Sequence, residues 1–353
     1  MTANRWLMTE VGKPLVSESF TPETPAAGEA TVEISGCGVC HTDLGFLYDG
    51  VPTKHDLPLT LGHEISGRVI ATDEQVSVLM GKSVIIPAVM PCDVCDLCQR
   101  GWGSICRAQK MPGNDIHGGF ATHINVPAHN LCEVDENSLE KVGLTLADIS
   151  VLADAVSTPY QAAVLAGIQP GDLAIVIGVG GVGGYAVQIA HALGATVIAI
   201  DIDQAKLDML TEYGAALTIN STEANAREIK KQVQAFAKDK GLRSTEWKIF
   251  ECSGAAPGQS MAFGLLTFGA HLAVIGFTTA KIEMRISNLM AFNARIQGNW
   301  GCLPEYYPSA LELVLTGKVK MKPFIKQHPL AEINNIFAAV RAHELHERAI
   351  LVP

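Results

Sequence analysis

A chain of 353 residues, 48% of them hydrophobic, is long enough to bury the cores of two domains. Against 36 Asp and Glu it carries 26 Lys and Arg, a formal net charge of −10. That balance excludes a nucleic-acid or anionic-membrane surface, since phosphate is held by clustered Lys and Arg, and makes small-molecule chemistry the expectation.

The N-terminal "MTANRWLMTEVGKP" lacks the apolar core of a signal peptide, and the C-terminal "ERAILVP" carries no lipidation or retention signal, which predicts a cytoplasmic protein. Up to about residue 150 the chain is a series of short apolar runs broken by Gly and Pro. Runs such as "ATVEISG", "GRVIAT" and "GKSVIIPAV" read as strands of an irregular β domain.

Within this part, "GVCHTDLG" at residues 38–45 sets a cysteine, a histidine, a threonine and an aspartate side by side, and "TLGHEISG" supplies His63 and Glu64. "LADAVSTPY" adds Asp154 just before the pattern changes. Cys40 as thiolate, His63 as imidazole and Asp154 as carboxylate would give a reactive zinc three protein ligands and leave a fourth position for substrate. The other reading of Asp154 is a helix-capping residue in a loop.

The nine cysteines are Cys37, Cys40, Cys92, Cys95, Cys98, Cys106, Cys132, Cys252 and Cys302. Such clustering in a cytoplasmic chain points to metal, not disulfides. "PCDVCDLCQRGWGSIC" places Cys92, Cys95, Cys98 and Cys106 as CxxCxxC, then seven residues, then the fourth Cys. Four thiolates close the shell of a tetrahedral zinc, so this site is expected to be structural. An iron–sulfur cluster is the competing reading, but the ferredoxin run has a shorter last spacing followed by Pro, where this chain has Arg107. Acidic Asp93 and Asp96 argue against a nucleic-acid-binding ribbon.

From residue 172 to about 276 the texture alternates: "LAIVIG", a helix over 182–193, "TVIAID", a helix over 204–213, "WKIFEC", a helix near 258–268, and "HLAVIG". This is the pattern of βαβ units around a parallel sheet. Residues 173–200 hold no charge, a span long enough for a membrane. Their six glycines and their break into strand, turn and helix predict a buried α/β unit instead.

"VIGVGGVGGYAVQIA" carries Gly178, Gly180 and Gly183 in GxGxxG spacing, with Gly181 and Val182 inside the loop. The first glycine makes the turn, the second admits a pyrophosphate, and the third lets helix and strand pack closely. Asp201 ends the next strand, 23 residues after Gly178. A carboxylate there accepts hydrogen bonds from a ribose and repels a 2′-phosphate, which predicts NAD. Lys206 on the following helix either reaches the same ribose or is simply solvated.

Taken together, "GVCHTDL", "GHE", the four-cysteine cluster, "GVGGVGG" and the C-terminal "ER" are a specific set, and the chain resembles the zinc-dependent medium-chain alcohol dehydrogenases over essentially its full length. The resemblance implies an α/β protein: a GroES-like β catalytic domain made of residues 1–154 and 298–353, and an inserted Rossmann domain, a doubly wound parallel sheet, over 155–297. It implies NAD, two zinc ions per chain (one catalytic, one structural), a small-molecule alcohol, and a homodimer or homotetramer. By position it makes Cys40 and His63 the first two catalytic zinc ligands and Asp43 the carboxylate that orients the histidine. Glu64 matches the glutamate behind the zinc, and Thr42 the hydroxyl that takes the proton of the alcohol. His41 and Arg348 match contacts to the cofactor pyrophosphate.

Two positions depart from the common pattern. Many relatives have cysteine where this chain has Asp154, and some bacterial secondary-alcohol dehydrogenases have aspartate; either brings one negative charge, so with the Cys40 thiolate and a neutral His63 the zinc site stays neutral. Relatives with a proton-relay histidine carry it where this chain has Gly45, and the expectation is that Gly45 opens the region to solvent. His55, nearby, reads as a surface histidine.

The tail "GNWGCLPEYYPSALELVLTGKVKMKPFIKQHPL" resembles the same part of 6-hydroxycyclohex-1-ene-1-carbonyl-CoA dehydrogenases of anaerobic aromatic degradation. That implies a CoA thioester of a cyclic secondary alcohol, oxidised to the 6-oxo compound. Lys318, Lys320, Lys322 and Lys326 are then either a solvated face or an attraction for CoA phosphates. Competing readings are a dehydrogenase of a simple alcohol or polyol, a zinc-free reductase with only the structural metal, and a non-catalytic NAD-binding or redox-responsive protein.

Overall fold

The computed structural model describes residues 3–353. They form two compact units: one of residues up to Ser157 with Gly301–Leu315 and Met321–Pro353, the other of Thr158–Trp300 with Thr316–Lys320. The short stretch Thr316–Lys320 joins the second unit through Gln188, whose Oε1 accepts from the Lys320 amide at 2.7 Å and whose Nε2 donates to the Lys320 carbonyl at 3.2 Å.

The second unit is a six-stranded sheet in the order Ala215–Asn220, Thr196–Asp201, Leu173–Ile177, Lys248–Glu251, His271–Val274, Arg295–Gly298. Every neighbouring pair is parallel. Counted along the chain, the order is 3-2-1-4-5-6, the doubly wound Rossmann arrangement, whose switch point lies at the carboxyl end of Leu173–Ile177. That strand, LAIVI, is buried throughout, as a strand covered on both faces must be.

The helices follow the sequence signals with small differences at their ends. Gly183–Ala192 lies inside the span expected for it. Gln204–Leu210 stops early and finishes as a 3-10 turn closed by Gly214 at φ +104°. Ala256–Gly264 begins ahead of the expected start because Pro257 sits in its first turn, where no amide partner is lost. Helix Ala226–Asp239 is capped by Asn225 and Glu228 in a reciprocal box and buries Ile229, Val233 and Ala237, one stripe at helical spacing.

The first unit is built on a seven-stranded sheet: Ile325–Pro329, Arg348–Val352, Glu29–Gly38, Glu64–Thr72, Ser83–Ile86 and Cys132–Val134 in order, with His123–Pro127 also on Glu29–Gly38. A second, three-stranded sheet joins Val16–Phe20, Ala3–Met8 and Leu59–Thr60. Leu61, Ile65, Phe120 and Phe337 are fully buried in the core, where the rings of Phe120 and Phe337 meet edge to face at 5.4 Å, a contact worth about 1 kcal/mol beyond burial.

Register in this sheet places the chemistry. Gly38 pairs with Glu64 on one side and Ile350 on the other, so the residues after Gly38, those around Glu64 and the last strand converge at one end. Among the described residues no helix is long and apolar enough to cross a membrane, and residues 173–200 fold as strand, helix and strand.

Candidate active site and its two ligand clusters

Strand Glu29–Gly38 ends just before Cys40, which caps the helix His41–Tyr48. The Asp43 carboxylate reaches back to the Cys40 amide at 2.9 Å and also accepts from the Gly62 amide at 3.1 Å, tying the cysteine loop to the segment that carries His63. Asp43 Oδ1 stands 3.4 Å from His63 Nδ1, and both side chains are buried. The other ring nitrogen, Nε2, lies 3.7 Å from Asp154 Oδ2, which is itself 3.7 Å from Cys40 Sγ. Ligand atoms of Cys40, His63, Glu64 and Asp154 all fall within 4.8 Å of one another. Thr42 is half-buried, with Oγ1 3.6 Å from Cys40 Sγ.

Glu64 is fully buried and forked by Arg348, at 2.7 Å from Nε and 2.5 Å from Nη2. Its Oε1 also accepts from the Ala155 amide at 3.1 Å. Burial pushes the Glu64 carboxyl up to about 7 against the pull of Arg348. Gly38 is obligatory opposite it, because a Cβ there would overlap the Glu64 carboxylate. His63 is pushed up by Asp43 and Asp154 against the opposing cost of burial. Acidic groups thus crowd a histidine in a buried pocket, and a thiolate, a carboxylate and a neutral imidazole are the donor set that a divalent zinc neutralises. The residues present fit that metal.

The four-cysteine loop is a different object. Sulfur atoms of Cys95 and Cys98 are 3.5 Å apart, Cys95 and Cys106 3.7 Å, Cys106 and Cys92 3.4 Å. Backbone amides aim at the sulfurs: those of Cys92 and Ala108 reach Cys106 Sγ at 3.4 and 3.3 Å. The Cys98 amide is the main reason that the Cys95 thiol falls to about 6, whereas burial lifts Cys98 to about 12. Four sulfurs at these distances with amide support fit a tetrahedral zinc without a free position.

In the nucleotide unit, Gly178 turns at φ +79°, and a Cβ on it would strike the backbone of Ser253. A Cβ on Gly183 would overlap the Gly178 carbonyl, so the helix start packs directly on the turn. Gly180 and Gly181 are exposed, Val182 is half-buried, and nothing lies within 4 Å of where a Gly180 Cβ would stand, an open cradle for a pyrophosphate. Asp201 ends its strand beside this loop and accepts from the Val179 amide at 2.6 Å. Lys206 is held 3.5 Å from Asp203, on its own helix.

One position sits differently from what the sequence suggested. Gly45 is buried, and Val51 Cγ2 lies 3.5 Å from where its Cβ would be, so removing the side chain has not opened this helix to solvent. His41 is exposed, its ring stacked near His343 with centroids 6.2 Å apart. Arg348 is buried in its pair with Glu64. Of the four lysines, Lys322 is bound to buried Asp148 at 2.8 Å, and Lys318, Lys320 and Lys326 are exposed. Sequence reading assigned no role to Ser157, three residues after Asp154 in the same stretch, nor to Tyr307 and Ser253, which only the three-dimensional register brings behind Asp154 and beneath the glycine turn.

Comparison with known proteins agrees with this architecture. The alcohol dehydrogenase GroES-like domain family matches residues 26–136, and the zinc-binding dehydrogenase family matches 181–316. An alcohol dehydrogenase of Geobacillus stearothermophilus is 29% identical over 342 residues, 96% of each chain, and one of Moraxella sp. strain TAE123 is 28% identical over 98% of each. Among solved structures, the alcohol dehydrogenase of Aeropyrum pernix superposes with a TM-score of 0.86 at 27% identity, covering 99% of this chain and all of that one. Galactitol-1-phosphate dehydrogenase of Escherichia coli gives 0.88 at 25% identity, with coverage of 99% and 100%. With both families matched in order along one chain that also brings the two ligand clusters together, the protein belongs to the zinc-dependent medium-chain alcohol dehydrogenases.

Proposed function

We propose that the protein oxidises a secondary alcohol to a ketone with NAD, using Cys40, His63 and Asp154 to hold a catalytic zinc and Cys92, Cys95, Cys98 and Cys106 to hold a structural one. The observation that carries this is the convergence of Cys40, His63, Glu64 and Asp154 within 4.8 Å in a buried pocket. When bound, zinc supplies a Lewis acid that lowers the pKa of an alcohol hydroxyl, and NAD supplies the hydride acceptor.

The chain's own residues do the rest. Asp43 fixes the ring of His63 so that Nε2 faces the pocket, the usual task of a carboxylate behind a metal-ligand histidine. Arg348 offsets the charge of Glu64, leaving two net negative ligands, Cys40 and Asp154, for a divalent ion. Thr42, at the edge of the cluster, is the group that takes up the alcohol proton. With Gly45 in place of a relay histidine, no side chain at that position passes the proton on. In the other unit the loop of Gly178, Gly180, Gly181, Val182 and Gly183 cradles the pyrophosphate. Asp201 would hold the adenosine ribose, with Lys206 beside it; for His41 and Arg348 a cofactor role is supported by the family resemblance alone.

The alcohol is proposed to be 6-hydroxycyclohex-1-ene-1-carbonyl-CoA, oxidised to the 6-oxo compound in anaerobic aromatic degradation. The likeness of residues 298–330 to dehydrogenases of that thioester supports this reading; Lys318, Lys320 and Lys326, all exposed, are the cations left to meet CoA phosphates. A simple secondary alcohol fits the metal site equally. Assembly as a homodimer or homotetramer is supported by the exposed edge strand Arg295–Gly298 and by Ile286 and Met290, 72% and 80% exposed.

The test is NADH formation from a hydroxylated alicyclic acyl-CoA beside simple secondary and primary alcohols at equal concentration. Preference for the thioester is the expected result. Turnover of simple alcohols alone removes the CoA substrate and keeps the zinc mechanism, and no turnover with two zinc ions bound removes both.

A further inference from the structure

Asp154 is the one partly exposed member of an otherwise buried ligand set, and it sits on a turn, not on a strand or helix. It follows the 3-10 helix Asp148–Ala153, whose last carbonyls have no partner within the helix. A ligand on such a turn is only as well placed as the peptides on either side of it.

Both neighbouring peptides are anchored. On the far side, the Ala155 amide donates to Glu64 Oε1 at 3.1 Å, and Glu64 is held in turn by Arg348. On the near side, the Ala153 carbonyl accepts from the Tyr307 hydroxyl and from Ser157 Oγ at 3.0 Å. The Tyr307 oxygen also accepts from the Ala88 amide at 3.0 Å, so its hydroxyl is oriented from behind. Tyr307, Ser157, Ala153 and Ala155 are all 0% exposed. Water is therefore not available to replace a lost donor, and the hydroxyl of a fully buried tyrosine has been committed to one carbonyl next to the ligand.

We infer that Tyr307 is a positioning residue for the third metal ligand: its hydroxyl fixes the Ala153 peptide so that the Asp154 carboxylate stays aimed at Cys40 and His63. The inference rests on reading Asp154 as a ligand. An aspartate needs this support more than a cysteine would. Its carboxylate has one more rotatable bond and two competing oxygens, so the main chain must supply what a short thiolate arm has built in.

The experiment uses the purified holoenzyme and three substitutions: Tyr307→Phe, Ser157→Ala and Asp154→Ala. Zinc per chain is measured during titration with a chelator, and the visible d–d spectrum is recorded after cobalt(II) replaces the labile ion. In Tyr307→Phe the more labile zinc is expected to weaken by about ten- to a hundredfold, as for other groups behind metal ligands, and the cobalt bands to shift. The zinc of the four-cysteine loop should keep its wild-type resistance. Ser157→Ala leaves one donor on the carbonyl and is expected to give a smaller loss in the same direction; it carries the test if Tyr307→Phe does not fold. Wild-type affinity and spectrum in both, with only a lower Tm, would make the tyrosine structural and overturn the inference. If Asp154→Ala also keeps the labile zinc at full affinity, the ligand assignment falls with it; if Asp154→Ala alone loses that zinc, only the positioning role falls.

Discussion

The two ligand clusters of the first unit solve the same problem in opposite ways. The cysteine loop gathers its donors from residues 92–106, leaves three of the four partly exposed, and supports its sulfurs with backbone amides of the same loop. The mixed cluster gathers Cys40, His63 and Asp154 from three separate segments, buries most of them, and supports them with side chains from two more, Arg348 and Tyr307. A closed shell needs only a tight loop. An open shell has to hold three ligands still while one position stays free, and that takes rigid elements and a second layer of hydrogen bonds.

The largest effects should separate the two clusters cleanly. Cys40→Ala is expected to bring zinc from two ions per chain to one and to lower turnover by about a hundredfold or more, with Tm changed little. Metal analysis, kinetics and a thermal melt of one preparation read all three. A variant that kept both ions, or that melted as early as a cysteine-loop variant, would erase the distinction between an open and a closed site.

The complementary change is Cys95→Ala. Removing one of four ligands opens the closed shell, and the loop it folds is expected to come apart, lowering Tm by about 10 °C, while zinc at the mixed cluster remains. Residual turnover at low temperature checks the second half of that statement. Loss of turnover in step with loss of the structural ion would mean that the two clusters are coupled, with Ala88, four residues before Cys92 and bonded to Tyr307, as the shortest route between them.

The same contrast explains what could be read from the sequence. Cys92, Cys95, Cys98 and Cys106 carry their geometry in their spacing, and Gly178, Gly183 and Asp201 carry theirs in a strand, turn and helix read in one pass. The parallel sheet was legible for the same reason, since each βαβ unit is local. Cys40, His63 and Asp154 became a set only through chemistry and family resemblance, because the pairing of Gly38 with Glu64 that unites them is a property of the sheet. Tyr307 gave no signal: the second of two adjacent tyrosines in "EYYPSAL" looks like any core residue. Gly45 misled in the other direction. Absence of a side chain suggested an opening to water, but Val51 and the helix itself cover the site.

The smallest effect concerns acid, which should reach the mixed cluster through its neighbourhood. The segment leading to His63 is laced to residues 117–119: the Thr60 amide donates to His117 Nδ1 at 3.1 Å, and the amides of Gly118 and Gly119 donate to the carbonyls of Thr60 and Gly62 at 2.8 Å each. Burial, then the charges of Arg5 and His55, push His117 down to about 4 from an ordinary 6.5. The folded protein therefore favours the neutral ring, which must present Nδ1 as an acceptor. Because the folded value lies below the unfolded one, this stability is complete above pH 6.5 and is lost as the pH falls toward 4. The ring is partly exposed, so solvent screening reduces the effect to that of one hydrogen bond, about 1 kcal/mol or some 3 °C in Tm. In His117→Asn the amide oxygen takes the place of Nδ1 and does not titrate. The wild-type Tm is expected to fall more steeply than that of the variant between pH 6.5 and 4.5, and equal slopes would show that the approach to His63 does not sense acid through this histidine.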